Sequence, residues 1–251
     1  MTVSVKVEGK YGSFNRAEFK TERVSYPLPT PSAARGLLES IFWKPEFSYQ
    51  IREIWVLKPI HYVSILRNEI NKHQLASTAR GWEKADGVGG FYADDTEENR
   101  VQRHALCLKN VAYVIFADII LKSHAHADIA KYQAQFRRRV DKGQCFNQPY
   151  LGTREFSVDR FERFDKEKDT EEREKYFKGQ TQDLGYMLFD IDFEETGAKG
   201  GITYMTHDEN GGRVAQGTAT PRFFQYRRPA ILEEGVLKIP PEMYAERSVD
   251  Q

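Results

Sequence analysis

The chain opens on a two-residue alternation. Val3, Val5 and Val7 take one side and Ser4, Lys6 and Glu8 the other, so a half-buried strand is predicted. The period changes in "TPSAARGLLESIF": Ala34, Leu37, Leu38 and Ile41 are spaced i, i+3, i+4, i+7, as in an amphipathic helix. Thr30 is placed to cap it, and Pro31 sits at the first helical position, where its missing N–H costs nothing. Pro45 disfavours helical geometry at Lys44 and ends the helix. "YQIREIWVLKPIHYVSIL" reads as one or two strands, and residues 67–99, polar and carrying "GVGG" at Gly87 to Gly90, as a long mobile loop. "VAYVIFADIIL", Val111 to Leu121, is β-branched and apolar enough for a central strand. "DIAKYQAQFRRRVDK" returns to the helical period, with Ile129, Tyr132, Phe136 and Val140 along one side.

"GQCFNQPYLGTREF" is punctuated as a turn region. Residues 159–174 hold eight acids and five bases with little apolar content, which predicts a solvated, flexible insertion. In "YMLFDIDFEE", Met187, Phe189, Ile191 and Phe193 face one way and Asp190, Asp192 and Glu194 the other, as in a strand. A hairpin turn at "DENGG" and a strand-like "RFFQYRR" follow, and no clear internal repeat is found. Strand, helix, strand pair, helix, strand is the ferredoxin-like order, so the fold expected is α+β. A ferredoxin-like N-terminal domain would span 1–182, including the 67–99 loop and the 159–174 insertion. A smaller antiparallel β-sheet domain would span 183–251.

Composition narrows the reading by exclusion. The 251 residues carry 37 Lys+Arg against 37 Asp+Glu, so overall charge does not announce a nucleic-acid binder and any such surface must be local. Cys107 and Cys145 make neither a disulfide framework nor a zinc site, as expected of buried thiols in a reducing cytosol. No stretch reaches the roughly 18 apolar residues of a membrane span. The N-terminus alternates rather than forming the apolar stretch of a signal peptide, so a cytoplasmic protein is expected.

The phosphate-loop, dinucleotide, zinc-protease and nucleophile-elbow fingerprints are all absent. His124 and His126 could hold a metal at strand spacing, although a solvated strand end explains them as well. Asp190 and Asp192 could bind Mg²⁺ as paired carboxylates, against the simpler reading of exposed acids on an outer face. The basic helix says more. From Lys131 to Lys142 five bases stand against Asp141, a local balance of 5 − 1 = +4. Lys131, Arg138 and Lys142 are spaced i, i+7, i+11, opposite the apolar side, as a phosphate-tracking surface or a solvated helix face would be. Lys131 and Tyr132 also lie in the first turn, where orphan N–H groups favour a phosphate.

"ERVSYPLPTPSAARGLLESIFWKP", "RNE", "LKNVAYVIFADI", "FRRRVDKGQCFNQPYLGTREF" and "DLGYMLFDIDF", in that order, resemble the CRISPR-associated Cas-five family, d subtype, of type I-C systems. The resemblance covers about Glu22 to Phe156 and, more loosely, Asp183 to Pro240. It implies the RAMP (RRM-like) superfamily and metal-independent cleavage of the repeat stem-loop of precursor CRISPR RNA. It also implies that the subunit stays on the 5′ handle within the Cascade complex; double-stranded DNA is an open further partner, and no cofactor is implied. The family pattern places a Tyr or His at the end of the first helix and a Lys-His pair at the start of the later one. Lys131 matches the lysine; Phe42 stands at the helix-end position and Tyr132 at the histidine position. Phe42 carries no exchangeable proton, so one reading moves proton transfer to Tyr132 and leaves Phe42 to shape the pocket. Arg35, Trp43, Lys44, Arg138 and Lys142 are the RNA-binding candidates. The alternative is a non-catalytic RNA- and DNA-binding scaffold of the same complex; a Mg²⁺ phosphohydrolase built on Asp190 and Asp192 is a remote third.

Overall fold

A computed structural model describes residues 2–19, 21–70, 75–84, 100–196, 201–208, 211–224 and 228–245. In chain order these form strands β1 (Thr2–Gly12) and β2 (Arg23–Val24), helix α1 (Pro31–Ile41), strands β3 (Phe47–Val56) and β4 (Tyr62–Ile70), and helix α2 (Ala76–Lys84). Next come β5 (Arg100–Leu121), α3 (Ile129–Asp141), β6 (Arg160–Glu162), α4 (Lys166–Phe177) and β7 (Thr181–Asp183). The chain ends through β8 (Leu188–Glu195), β9 (Ile202–Asp208), β10 (Gly211–Phe223), β11 (Ile231–Glu233), β12 (Val236–Lys238) and the short α5 (Glu242–Ala245).

The large sheet has the order β6-β1-β5-β3-β12-β11-β7. β1 and β3 both run antiparallel to β5, and β6 runs antiparallel to β1. β2 and β4 pair with the first half of β5. The smaller sheet is β8-β10-β9. The segment after residue 182 therefore builds the small sheet and also, through β11 and β12, lengthens the large one beyond β3.

The alternations read from the sequence decide the core. Val3, Val5 and Val7 join Tyr113, Ile115, Ala117 and Ile119 of β5 and Phe47, Tyr49 and Ile51 of β3 in one buried cluster. A register shift between Ile51 and Glu53 lets Ile54 and Val56 return to the same face. Against that face lie Ala34, Leu37, Leu38 and Ile41 of α1 and Tyr132, Phe136 and Val140 of α3. The Thr30 hydroxyl accepts from the Ala33 amide at 3.1 Å, with Pro31 in the first turn, as the sequence predicts.

Three sequence expectations are corrected. Residues 159–174 are not a solvated, flexible insertion: they contribute β6 and most of α4, capped by Asp165, whose side chain accepts from the Glu167 and Lys168 amides. α4 sits beside β1 on the opposite side of the sheet, through polar contacts along most of its length and through Phe177 and Tyr176 at its end. Lys6, 2% exposed, donates at 2.8 Å to both Asp169, 1% exposed, and Glu172, while the Arg173 guanidinium lies 4.5 Å from the centre of the Trp55 ring. The 67–99 loop is partly ordered as the end of β4 and as α2; "GVGG" lies outside the described residues. His124 and His126 stand in the turn between β5 and α3, not at strand spacing.

The turn region "GQCFNQPYLGTREF" comes against β1 by a close backbone approach, with the Ser13 amide donating to the Leu151 carbonyl at 2.9 Å. At Gly152, φ is +88° and a Cβ would come within 2.0 Å of the Ser13 carbonyl oxygen, so only glycine fits.

Candidate active site

The end of α1 and the start of α3 meet through an aromatic cluster. The Phe47 ring lies 5.5 Å from Phe42, 5.1 Å from Tyr49 and 5.2 Å from Tyr132. The last carbonyls of α1, which a helix leaves without partners, are taken up by three other segments. Ser40 O accepts from the Phe146 and Asn147 amides, Ile41 O from Arg139 Nη1 at 2.6 Å, and Phe42 O from the Tyr49 hydroxyl at 2.8 Å. Arg139 also covers the Phe42 ring, 5.2 Å from its centre, and its cation complements the negative helix end.

Phe42 is consequently 3% exposed: it is part of the core. The helical wheel sets it at the border of the buried face, but the wheel is blind to Arg139 and Phe47 closing over it. Tyr132, 5% exposed, points inward as well. Its hydroxyl closes no full hydrogen bond, although the Glu46 carboxylate and the Ala127 backbone lie beside it. Burial first, and then the neighbouring Glu46 carboxylate, push its pKa above the ordinary tyrosine value, which works against the tyrosinate a base would require.

The charged residues lie at the rim. Lys131 is exposed in the first turn of α3, and Asp128, at the N-cap, makes no side-chain capping bond, so the first amides of that helix stay free of a side-chain cap. Arg138 and Lys142 are exposed and, at roughly 100° per residue, fall within about 20° of Lys131 on the helix wheel. Lys44 is exposed and Trp43 half-buried just beyond α1. Arg35 is placed elsewhere: its guanidinium pairs at 2.7 Å with Asp190, which is buried rather than exposed, and so ties α1 to β8. Asp192 faces Arg222 at 3.5 Å, so both candidate Mg²⁺ carboxylates already have guanidinium partners. Sequence reasoning missed Arg139, hidden in "FRRR", and Glu46, whose signal was its place one residue past the "WKP" turn.

The family profile described as CRISPR-associated protein (Cas_Cas5), d subtype, matches residues 2–231. The chain belongs to the Cas5d family. A CRISPR pre-crRNA endoribonuclease Cas5d of Thermus thermophilus is 43% identical over 244 residues, 97% of this chain and 93% of the relative. Its counterpart from Mannheimia succiniciproducens is 39% identical over 246 residues, 97% of this chain and 96% of the relative. Among solved structures, a CRISPR-associated protein aligns with a TM-score of 0.59 at 19% identity, covering 97% of this chain and 93% of the other. A functionally uncharacterized protein from Streptococcus mutans aligns with a TM-score of 0.58 at 19% identity, covering 97% and 94%. Both bear on the fold alone.

In this Cas5d chain Lys131 reaches solvent, whereas Phe42 and Tyr132 do not. The arrangement can bind a phosphate at the start of α3 and stabilise charge on it. No described helix is long and apolar enough to cross a membrane.

Proposed function

We propose that this chain is a cytoplasmic endoribonuclease that cuts the repeat stem-loop of precursor CRISPR RNA and remains on the 5′ handle within a type I-C Cascade complex. The observation that carries the reading is Lys131, solvent-exposed at a helix start without a side-chain cap and continuous with Arg138 and Lys142, in a chain 43% and 39% identical to two proteins named as pre-crRNA endoribonucleases. In-line attack by a 2′-OH on its own phosphodiester yields a 2′,3′-cyclic phosphate and a 5′-OH. It needs a proton acceptor, a proton donor and stabilisation of the crowded phosphate, all of which side chains can supply without a metal. Lys131 serves the phosphate; Arg138, Lys142, Lys44 and Trp43 hold the flanking RNA; Tyr132 and Phe42 shape the floor beneath.

The ferredoxin-like reading of the N-terminal part rests on the strand order. Taking β1, β3, β5 and β6 as strands one to four, with α1 and α3 as the crossovers, the order β6-β1-β5-β3 is four-one-three-two, all antiparallel. β4 and α2 then belong to the connection between strands two and three.

The test incubates purified protein with its own repeat RNA in EDTA. A single cut leaving a 2′,3′-cyclic phosphate is expected, with Lys131→Ala losing cleavage about 10²-fold or more while binding changes modestly. Affinity should fall steeply with salt, because phosphate contacts release counterions. A second reading, a non-cleaving RNA- and DNA-binding scaffold of the same complex, is favoured by the burial of Phe42 and Tyr132. Tight binding with no product would select it.

A further inference from the structure

The reaction just proposed, on which this inference rests, requires a proton acceptor that can touch the 2′-OH. Neither family position supplies one: Phe42 has no heteroatom, and Tyr132 is buried with its pKa raised. A carboxylate lies between them in the chain and beside them in space. Glu46 directly precedes Phe47, whose ring packs on both Phe42 and Tyr132. Its carbonyl accepts from the Lys122 amide at 2.9 Å, which fixes the start of β3 against the turn that leads into α3. Its side chain is half-exposed and neighbours the buried Tyr132 hydroxyl, which interacts with that carboxylate and with the Ala127 backbone without closing a full hydrogen bond to either. A buried polar group is seldom left unpaired, and each exception calls for a reason.

We infer that Glu46 is the general base of the cleavage step and that the Tyr132 hydroxyl is its positioning residue. The 2′-O–H gives its proton to a Glu46 carboxylate oxygen as the 2′-oxygen forms its bond to phosphorus. The bond from phosphorus to the 5′-oxygen breaks, and the leaving 5′-oxygen takes a proton from the Lys131 ammonium. Glu46 afterwards returns its proton to the Lys131 amine through solvent, so no proton is gained or lost. Tyr132, protonated at neutral pH as tyrosine ordinarily is, donates to the second carboxylate oxygen and holds the first toward the RNA.

The experiment compares single-turnover cleavage of the repeat RNA with affinity for the same RNA carrying a 2′-deoxy nucleotide at the cut. Glu46→Gln keeps the shape and removes the proton acceptor. Cleavage is expected to fall about 10²- to 10⁴-fold, with affinity unchanged or slightly tighter because a negative charge has left the phosphate's surroundings. Tyr132→Phe should slow cleavage without weakening affinity, and in the Glu46→Gln background should cost nothing more. Equal cleavage by parent and Glu46→Gln overturns the inference alone. So does a loss of cleavage and affinity in proportion, which marks a structural role, or a loss on His126→Ala that Glu46→Gln does not share. No cleavage by the parent overturns the proposed function and the inference together.

Discussion

Replacing Lys6 by Met asks whether α4 is part of the folded body or an appended arm. The ammonium is 2% exposed and meets three carboxylates: Asp169 and Glu172 at 2.8 Å and Glu8 at 3.5 Å. Asp169 is 1% exposed and also accepts from the Asp165 amide. Without the cation, Asp169 remains as a buried charge facing two other acids. Removing one partner of a buried pair costs about 3–5 kcal/mol. For a chain of this size each kcal/mol moves Tm by roughly 2–4 °C, so a fall of roughly 6–20 °C is expected. Burial works against the Lys6 ammonium, but the hydrogen bonds it donates to Asp169 and Glu172 outweigh that and hold its pKa above the ordinary lysine value. A raised pKa contributes stability in full below the ordinary value of about 10.4 and loses it only as pH rises through the folded one. The ionisation of Lys6 should therefore leave the deficit unchanged between about pH 6 and 9. Adding Asp169→Leu to Lys6→Met should recover much of the loss, because an apolar pair of suitable volume replaces a buried ion pair at little or no cost. Thermal or urea unfolding of both single variants and the double variant measures it. A Tm within about 2 °C of the parent for Lys6→Met, or additive single and double effects, would refute the view that α4 is built into the sheet.

Three further outcomes follow from single contacts. Arg139→Ala removes a charge-assisted bond to Ile41 O and the cation over Phe42, and should cost about 1.5–3 kcal/mol in urea unfolding. Gly152→Ala places a Cβ against Ser13 O at φ +88° and should cost roughly 2–5 kcal/mol or abolish soluble expression; a neutral effect would mean that the "YLG" turn is not seated on β1. Burial alone would raise the Asp118 pKa, but hydrogen bonds from Arg52 and Thr2 leave it below the usual carboxylate range. That contribution is present above the ordinary pKa and lost as pH falls through the folded one. The Tm gap between parent and Arg52→Gln should accordingly narrow below about pH 4.

The elements that hold themselves together by apolar burial were legible. β1, α1 and α3 announce a period and the second half of β5 a β-branched apolar run, and Thr30 and Pro31 mark a helix start that the structure reproduces. α4 announces none. Its buried residues are Asp169, Arg173 and Phe177, so apart from Phe177 and Tyr176 at its end its contacts are ion pairs and a cation over Trp55, and a pattern of apolar positions cannot record those. The first half of β5 was missed for a related reason: paired with β4, it alternates between exposed and half-buried positions up to His104, with buried Ala105, Cys107 and Leu108 only after that, and carries too little apolar content to stand out. At the candidate site, the exposure of Lys131, Arg138 and Lys142 followed from helical spacing, whereas the burial of Phe42 depended on Arg139, nearly a hundred residues away.

That distant dependence bears on how the chemistry is arranged. Phe47 touches the rings of Phe42, Tyr49 and Tyr132, Tyr49 touches that of Phe136, and Arg139 and the Tyr49 hydroxyl lock the carbonyl end of α1 to this cluster. Such a cluster holds the start of β3 and the start of α3 at a set separation, because close-packed rings have discrete rather than continuous ways to sit. Glu46 and Lys131 hang from those two starts. The large residues between them then act by fixing where a carboxylate and an ammonium stand, which positioned catalysis demands. Under the proposed function, truncating the cluster at Phe47 should consequently disturb cleavage more than RNA affinity, since Arg138 and Lys142, the proposed phosphate contacts, stand exposed on the outer face of α3.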